Sequence, residues 1–438
     1  MADPSTASAE PAGIKWGPLR LLPGVRSRHM IVYLLGAVFT MMFSTFVPQA
    51  QPFILTEILK IPAEQQGQLS GYLGLAQTIV SLIIPSIWGT LSDKTGRRVV
   101  YAIGFLLAAS GIFLYPLAGT LIALFAFRML FSAGSNAANT MSNTLLGDYV
   151  DRGDRGKAYG FVAMSGGIGA LVTVFLLLRL PALFQNAGLP AVTAGRYAFW
   201  VVAAIGLGAM ALVYSGLMGK SKRQAEEKRS ALEIAREALR AAKDPGILLA
   251  YAANFAASGA VSALGTFFSL WLVTYGTTQA GLSAAQALAK AGMIIGISQV
   301  MGLVASPIFG VLSDKLGRIR AVVLAAGLTA VVFAATLLIS NPLSGLMIVL
   351  GLFLGFVQIS GVITAGALVA KQAPEAVRGA VMGFYGFCGA LGIMLTFLLG
   401  GFLFDRWMYQ GPFILVAGLC AVVAVWGLVV NKKLNLKG

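Results

Sequence analysis

The chain has 438 residues, of which 58% are hydrophobic and only 11% are charged. This composition excludes a soluble globular protein, because a chain of this size could not bury so many apolar side chains in a water-surrounded core. The formal net charge of +16 does not indicate a nucleic-acid partner, since the basic residues lie at the ends of apolar segments.

The chain begins with a polar stretch, residues 1–28, that is rich in Pro, Ser and Ala. It lacks the apolar core of a secretory signal, so we predict a cytoplasmic N-terminal tail and expect the first apolar segment to direct insertion. Twelve apolar segments follow, each about the ~20 residues that a helix needs to cross a bilayer. They lie near residues 30–55, 67–91, 99–118, 121–147, 157–179, 196–217, 246–275, 286–311, 320–340, 343–369, 379–404 and 412–430.

One long polar segment, residues 219–244, divides these segments into six and six. Its charges are mixed in sign and its apolar residues recur at helical spacing, which predicts an amphipathic helix on the cytoplasmic surface. It is expected to link two units, residues 29–218 and 245–430, with a regulatory or lipid-sensing role as the alternative. Residues 431–438 form a second cytoplasmic tail.

The positions of the basic residues predict the orientation. Most of the 32 Lys and Arg lie in the tails, the linker and alternate loops, whereas the other loops keep only Lys60, Arg179, Arg196 and Arg406. The positive-inside rule then places both termini on the cytoplasmic side of a cell membrane, which is the inner membrane if the source is bacterial.

Two motifs occur once in each half. GTLSDKTGRR at Gly89–Arg98 returns as GVLSDKLGRI at Gly310–Ile319, and RGKAYGF at Arg155–Phe161 returns as RGAVMGF at Arg378–Phe384. Each copy is a charged turn between two apolar segments, so the turns are candidate gating loops. Their residues are Gly89, Asp93, Lys94, Gly96, Arg97, Arg98, Asp148 and Arg155 in the first half, and Gly310, Asp314, Gly317, Arg318, Glu375 and Arg378 in the second.

Twelve segments in two halves, with G-x-L-S-D-K-x-G-R after the second and the eighth, resemble the major facilitator superfamily. The resemblance implies an all-α integral membrane fold of two pseudo-symmetric six-helix bundles that transports by alternating access. It also implies that the charged loops stabilise the outward-facing state by closing the cytoplasmic side, and that the first, fourth, seventh and tenth segments line the substrate path.

Polar residues of those segments are the candidate cavity residues. In the fourth segment, Arg128, Ser132, Asn136, Asn139 and Asn143 share one helix face at 100° per residue, and a face this polar is costly in lipid. The seventh segment adds Tyr251, Asn254 and Ser258, and the first adds Gln49 and Gln51 between Pro48 and Pro52. Lys290 near the outer end of the eighth segment is a further candidate, with an interfacial snorkelling lysine as the alternative.

Arg128 is the candidate for holding a substrate, because a guanidinium stays charged and binds carboxylate or phosphate in bidentate fashion. An Arg is frequent in this segment of the superfamily, where it is assigned to proton coupling or to substrate binding; a structural role bonded to helix carbonyls is the third interpretation. No carboxylate lies at a helix centre, so proton coupling is not indicated, and only Glu57, Asp93 and Asp148 lie near the path.

These observations predict a secondary-active or facilitative transporter of a small organic anion. The alternative is an exporter of amphipathic, drug-like or lipid-like compounds, suggested by Met41, Met42, Phe43, Phe46, Phe255, Phe267 and Phe268. The fifth segment lacks the Gly-Pro pair of the drug and proton antiporters, which weighs against it. An enzyme is not expected, because the chain has one histidine, His29, and no His, Asp or Cys cluster. We expect no cofactor, no metal and a monomer.

Overall fold

The structure is a computed structural model that describes residues 14–219 and 231–435. The first part of the predicted linker, residues 220–230, lies outside the described residues. Within the described ranges, twelve helices are long and apolar enough to cross a membrane. They are α1 Ser27–Ile58, α2 Ala63–Thr95, α3 Arg97–Leu117, α4 Leu121–Tyr149, α5 Arg152–Asn186, α6 Ala191–Gly216, α7 Pro245–Thr278, α8 Ala284–Leu316, α9 Arg318–Leu338, α10 Gly345–Gln372, α11 Glu375–Arg406 and α12 Gly411–Lys432. The chain is therefore an all-α, multi-pass membrane protein.

Several of these helices contain local irregularities. The α-helix of α1 ends at Phe53 and continues as a π-helical turn, Ile54–Ile58, directly after Pro48 and Pro52. A proline lacks the amide hydrogen of a regular helical turn, so both residues weaken the hydrogen-bond ladder near the π turn. Helix α7 has a second π turn at Ala263–Phe267, and α10 is interrupted between Gln358 and Ser360.

The helices pack as two halves, α1–α6 and α7–α12. The linker helix, Ala231–Ala241, lies between the two halves in sequence and packs against α11. Asp244 does not belong to this helix: its carboxylate accepts hydrogen bonds from the amides of Gly246 and Ile247 and caps the start of α7. We call the side of the molecule with the start of α1 and the end of α12 the terminal face, and the opposite side the distal face.

On the terminal face, part of the predicted N-terminal tail is ordered against the first half. Strands β1 Lys15–Trp16 and β2 Leu19–Arg20 form a short antiparallel hairpin. Beyond it, Leu21 forms a bridge to Val150 at the end of α4, and Leu19, Leu21 and Val25 are buried. The tail therefore includes a docked segment whose apolar residues belong to the core.

On the distal face the two halves are in close contact. A Cβ atom added to Gly71 of α2 would clash with the carbonyl oxygen of Phe397 in α11, and one added to Gly292 of α8 would lie 2.6 Å from that of Val174 in α5. The Ser269 hydroxyl of α7 also donates to the Gln49 carbonyl of α1, at 2.7 Å.

Towards the terminal face the same helices separate. A Cβ atom added to the glycines there would meet no atom within 4 Å, and these are Gly89 in α2, Gly156 and Gly160 in α5, Gly310 in α8, and Gly379, Gly383 and Gly386 in α11. Glycines of these four helices are thus tightly packed near the distal face and surrounded by open space near the terminal face. The space between the halves is closed at the distal face and open towards the terminal face.

Candidate functional site

Two adjoining cavities lie between the halves at the middle depth of the helices. The larger has a volume of about 730 Å³ and is walled by α1, α2, α7, α8, α10 and α11. The smaller, of about 310 Å³, is walled by α1, α4, α5 and α8. Both are lined by Met41 and Gln299, so we treat them as one central cavity.

Amide and hydroxyl groups supply the polar lining of the central cavity, and no charged side chain is among the described residues that line it. The larger part has Ser44, Thr45, Gln49, Gln77, Thr78, Ser81, Asn254, Ser258, Ser262, Thr266, Gln299 and Gln358, and the smaller adds Thr40, Asn139, Ser142 and Asn143. Such a wall exchanges hydrogen bonds with a solute but offers no counter-charge to an ion.

Hydrogen bonds between helices hold part of this lining in place. The Asn136 amide donates to the Ser81 hydroxyl at 3.0 Å and joins α4 to α2, and the Asn254 amide donates to the Tyr385 carbonyl at 2.8 Å and joins α7 to α11. In contrast, the side-chain oxygens Oε1 of Gln49 and Gln77 are buried and accept no hydrogen bond within the described residues. Buried acceptors without a donor are unfavourable, so these two oxygens would gain a hydrogen bond to a solute if their side chains rotated towards the cavity.

The structure brings five of the sequence-predicted cavity residues into the lining: Gln49, Asn139, Asn143, Asn254 and Ser258. Asn136 reaches it through Ser81. The others lie elsewhere. Ser132 is fully buried and donates to the Arg128 carbonyl, and the Gln51 amide donates to Ser70. Tyr251 packs on the ring of Phe384, and Lys290 is exposed near the distal end of α8.

Arg128 differs most from the expectation, because it lies outside the lining of both cavities. It is only 2% exposed and sits inside the first half, with its guanidinium 5.6 Å from the Phe131 ring centroid and in contact with Tyr115. Its Nε and Nη1 atoms have no hydrogen-bond partner among the described residues. The helical period gives the face of α4 that a residue occupies, but Arg128 lies on the distal part of that face, where the helices are closed around it.

The predicted gating loops form two similar clusters on the terminal face. In the first half, Arg97 pairs with Asp93 and with Asp148, whose Oδ2 lies 3.3 Å from the Arg97 Nε, and Arg155 donates to the Gly147 carbonyl at 2.9 Å. The turn is made by Gly96 at φ +99°, a conformation that favours glycine.

In the second half, Arg318 pairs with Asp314, and Arg378 donates to the Ala370 carbonyl at 3.0 Å. Gly317 at φ +85° takes the place of Gly96. Among the described residues, Glu375 joins no ion pair of this cluster. All these pairs stay within one half, as expected where the halves are apart on the terminal face.

Sequence reasoning missed four residues. Gln77, Gln299 and Gln358 line the cavity from α2, α8 and α10. A lone glutamine in an apolar segment was a detectable signal. The fourth is Asp405, at the end of the eleventh apolar segment, whose carboxylate accepts hydrogen bonds from the amides of Gly67 and Gln68 in the other half, at 2.7 Å each.

The model of the family described as Major Facilitator Superfamily matches residues 32–395 and 288–437. Magnetosome protein MamH of Paramagnetospirillum magneticum is 27% identical over 417 residues, which cover 93% of each chain. Multidrug resistance protein 2 of Bacillus subtilis is 26% identical over 82% of this chain and 86% of its own.

Two solved structures share the fold at 14% identity. A mutant form of the nucleoside transporter NupG has a TM-score of 0.74 and covers 92% of this chain and 99% of its own. A bacterial homolog of the human lysosomal transporter Spinster, in an inward-facing and unoccupied conformation, has a TM-score of 0.70 and covers 93% of this chain and 98% of its own.

Proposed function

The chain belongs to the major facilitator superfamily, and from this premise we propose that it carries a small, uncharged polar solute across a membrane by alternating access. The observation that supports this substrate class is the lining of the central cavity, which consists of amides, hydroxyls and apolar side chains. An organic anion was expected from Arg128, but that guanidinium lies inside the first half and not in the lining.

The size and chemistry of the cavity narrow the solute further. Its larger part, about 730 Å³, lies within the range of small-molecule sites, ~300–1,000 Å³. The side-chain oxygens of Gln49 and Gln77 accept no hydrogen bond within the described residues, so a solute with several hydroxyl or N–H groups would satisfy them once these side chains turn towards it. Met41 and Phe397 in the same wall provide contact for an apolar part of the solute, such as a ring face.

We assign the terminal face to the cytoplasm, because the basic residues are concentrated there and cytoplasmic segments carry the excess of Lys and Arg. The central cavity is open towards this face, so the conformation is inward-facing. Transport then requires the distal contacts of α2 with α11 and of α5 with α8 to break while the two charged clusters approach each other. The halves would move as rocking units around the cavity.

A second candidate function is export of amphipathic compounds. It is favoured by the apolar part of the lining, which includes Met41, Leu82, Val261, Leu303, Ile359, Ile393 and Phe397. Methionine adapts its shape to different ligands, as promiscuous binding surfaces require. The similarity to a protein named for multidrug resistance agrees with this candidate.

Ligand-dependent thermal stability of the purified protein separates these functions. A ligand at 100 times its dissociation constant stabilises a protein by ~2.7 kcal/mol, so neutral polyols and nucleosides, organic anions and amphipathic cations can be compared. We expect stabilisation by a neutral polar solute that is lost in Gln77→Leu and kept in Lys290→Gln, a matched change outside the cavity. Stabilisation by anions alone would refute the proposal, and stabilisation by amphiphiles alone would establish the second candidate.

A further inference from the structure

A basic groove lies on the terminal face of the second half, away from the central cavity. It has a volume of about 420 Å³ and is formed by the turn between α8 and α9, the end of α10 and the end of α12. Its lining is Leu316, Gly317, Arg318, Ile319, Arg320, Leu368, Lys371, Gln372 and Asn431. Three of these residues are bases, and none of them is an acid.

The internal repeat shows what occupies the same place in the first half. The helix of α4 ends at Tyr149 and that of α10 at Gln372, and Arg155 and Arg378 donate to the carbonyls of Gly147 and Ala370 in the same geometry. In this register Asp148 corresponds to Lys371. One position before the helix end, the first half therefore has a carboxylate and the second half has an ammonium group.

This difference reverses the charge next to an arginine that is present in both halves. Arg97 lies between Asp93 and Asp148 and is buried, whereas its equivalent, Arg318, pairs among the described residues only with Asp314, whose side chain is 66% exposed. The register of the first motif also places Arg320 where the first half has Val99, and Ile319 where it has Arg98, so both turns carry two arginines. The more positive charge of the second half therefore comes from Lys371 in the place of Asp148, and like charges at this boundary repel each other.

In the first half, the ordered N-terminal segment lies beside this position. In the first half, Leu22 donates its amide to the Tyr149 carbonyl at 2.9 Å, and Leu21 forms its bridge to Val150. In the second half, none of the described residues makes an equivalent backbone hydrogen bond or bridge to Gln372 or Ala373, although Gly246 at the start of α7 lies against the Gln372 side chain. Within the described residues, the groove is therefore the more positive of the two sites.

We propose that the basic groove binds the headgroup phosphate of an anionic phospholipid, which takes the place of the Asp148 carboxylate. The groove lies at the ends of membrane-spanning helices, where lipid headgroups are, and basic pockets between helix ends are suited to such headgroups. Leu316, which is 41% exposed, and Ile319 offer apolar contact to the glycerol backbone and the first acyl carbons. Arg318, Arg320 and Lys371 supply the donors for the phosphate.

The test compares lipid retention by the full-length protein and three variants. Each protein is reconstituted in nanodiscs that contain phosphatidylglycerol and phosphatidylcholine. The lipids that stay bound after the protein is released from the nanodisc are counted by native mass spectrometry. Lys371→Asp restores the charge pattern of the first half, Arg320→Val copies Val99, and Arg152→Asp makes the same charge change at an exposed base of the first half. Inorganic phosphate and glycerol 3-phosphate are then tested as soluble competitors.

We expect the wild type and Arg152→Asp to retain phosphatidylglycerol over phosphatidylcholine. Lys371→Asp should lower the apparent affinity for phosphatidylglycerol by about tenfold or more, because it removes a base that attracts the phosphate and adds an acid that repels it. Arg320→Val should lower this affinity less. Equal retention by Lys371→Asp and wild type would overturn the proposal, and so would an equal loss in Arg152→Asp. Displacement of the lipid by millimolar inorganic phosphate would instead identify a site for a soluble anion and refute the lipid assignment.

Discussion

The carboxylate of Asp405, at the distal end of α11, accepts a hydrogen bond of 2.7 Å from the backbone amide of Gly67 in α2. Its second oxygen accepts one of the same length from Gln68. Because α2 and α11 belong to different halves, these bonds exist only while the distal face is closed. The carboxylate also lies near the start of α2, where the positive end of the helix dipole favours a negative charge.

Asp405→Asn is therefore expected to shift the protein towards conformations with an open distal face. An uncharged amide keeps the size of the side chain but loses charge-assisted hydrogen bonds, which are worth ~1.5–3 kcal/mol each. The measurement is the distance distribution between spin labels at Tyr159 and Leu316, on the terminal parts of α5 and α8, which should move to shorter values. Lys290→Gln changes an exposed charged residue at the same face and should leave the distribution unchanged.

Glycine-to-alanine substitutions along α2 should have opposite effects at its two ends. Gly71→Ala places a methyl group against the Phe397 carbonyl oxygen, and this backbone atom cannot move without separating α2 from α11. Gly89→Ala, in the open part of the same helix, meets no atom and should stabilise the helix by ~0.5–1 kcal/mol. Thiol labelling of a cysteine introduced at Gln68 should accelerate in Gly71→Ala and not in Gly89→Ala. Equal labelling rates would contradict the tight distal contact.

The sequence was sufficient for the helices and the charged turns, because both depend on local patterns. Twelve apolar segments predict α1–α12, and the doubled motif puts Asp93 and Asp314 four residues before Arg97 and Arg318, their partners within one helical turn. The second partner of Arg97, Asp148, lies 51 residues away and depends on packing. The sequence was not sufficient to predict the position of Arg128 or the partners of Asp405. The helical period gives direction around an axis and not depth along it, so the position of Arg128 could not be read from its neighbours. The partner of Asp405 lies 338 residues away in sequence, and only the packing of the two halves brings them together.

Arg128→Met is expected to retain solute-dependent stabilisation and to equal or exceed the wild type in stability. The guanidinium is buried, and its Nε and Nη1 atoms have no partner within the described residues, whereas methionine fills similar space without charge. Replacing poorly compensated buried charges by apolar residues is often neutral or stabilising. Thermal unfolding with and without the solute measures both quantities. Loss of the solute effect in a well-folded Arg128→Met protein would restore this arginine as a substrate contact.

The ion pairs of Arg97 and Arg318 differ in burial, so an Asp-to-Asn substitution is expected to destabilise the protein unequally in the two halves. Asp148→Asn leaves Arg97 buried with the half-exposed Asp93 and the Ser92 hydroxyl as its remaining side-chain partners among the described residues, and breaking a buried pair costs ~3–5 kcal/mol. We expect the lower end of that range because Asp93 remains. Asp314→Asn removes an exposed carboxylate from Arg318, and such pairs are worth ~0.2–1 kcal/mol. Thermal unfolding of both variants in the same detergent makes the comparison. If Asp314→Asn lowered the stability more than Asp148→Asn did, the argument that the buried pair contributes more than the exposed pair would be wrong.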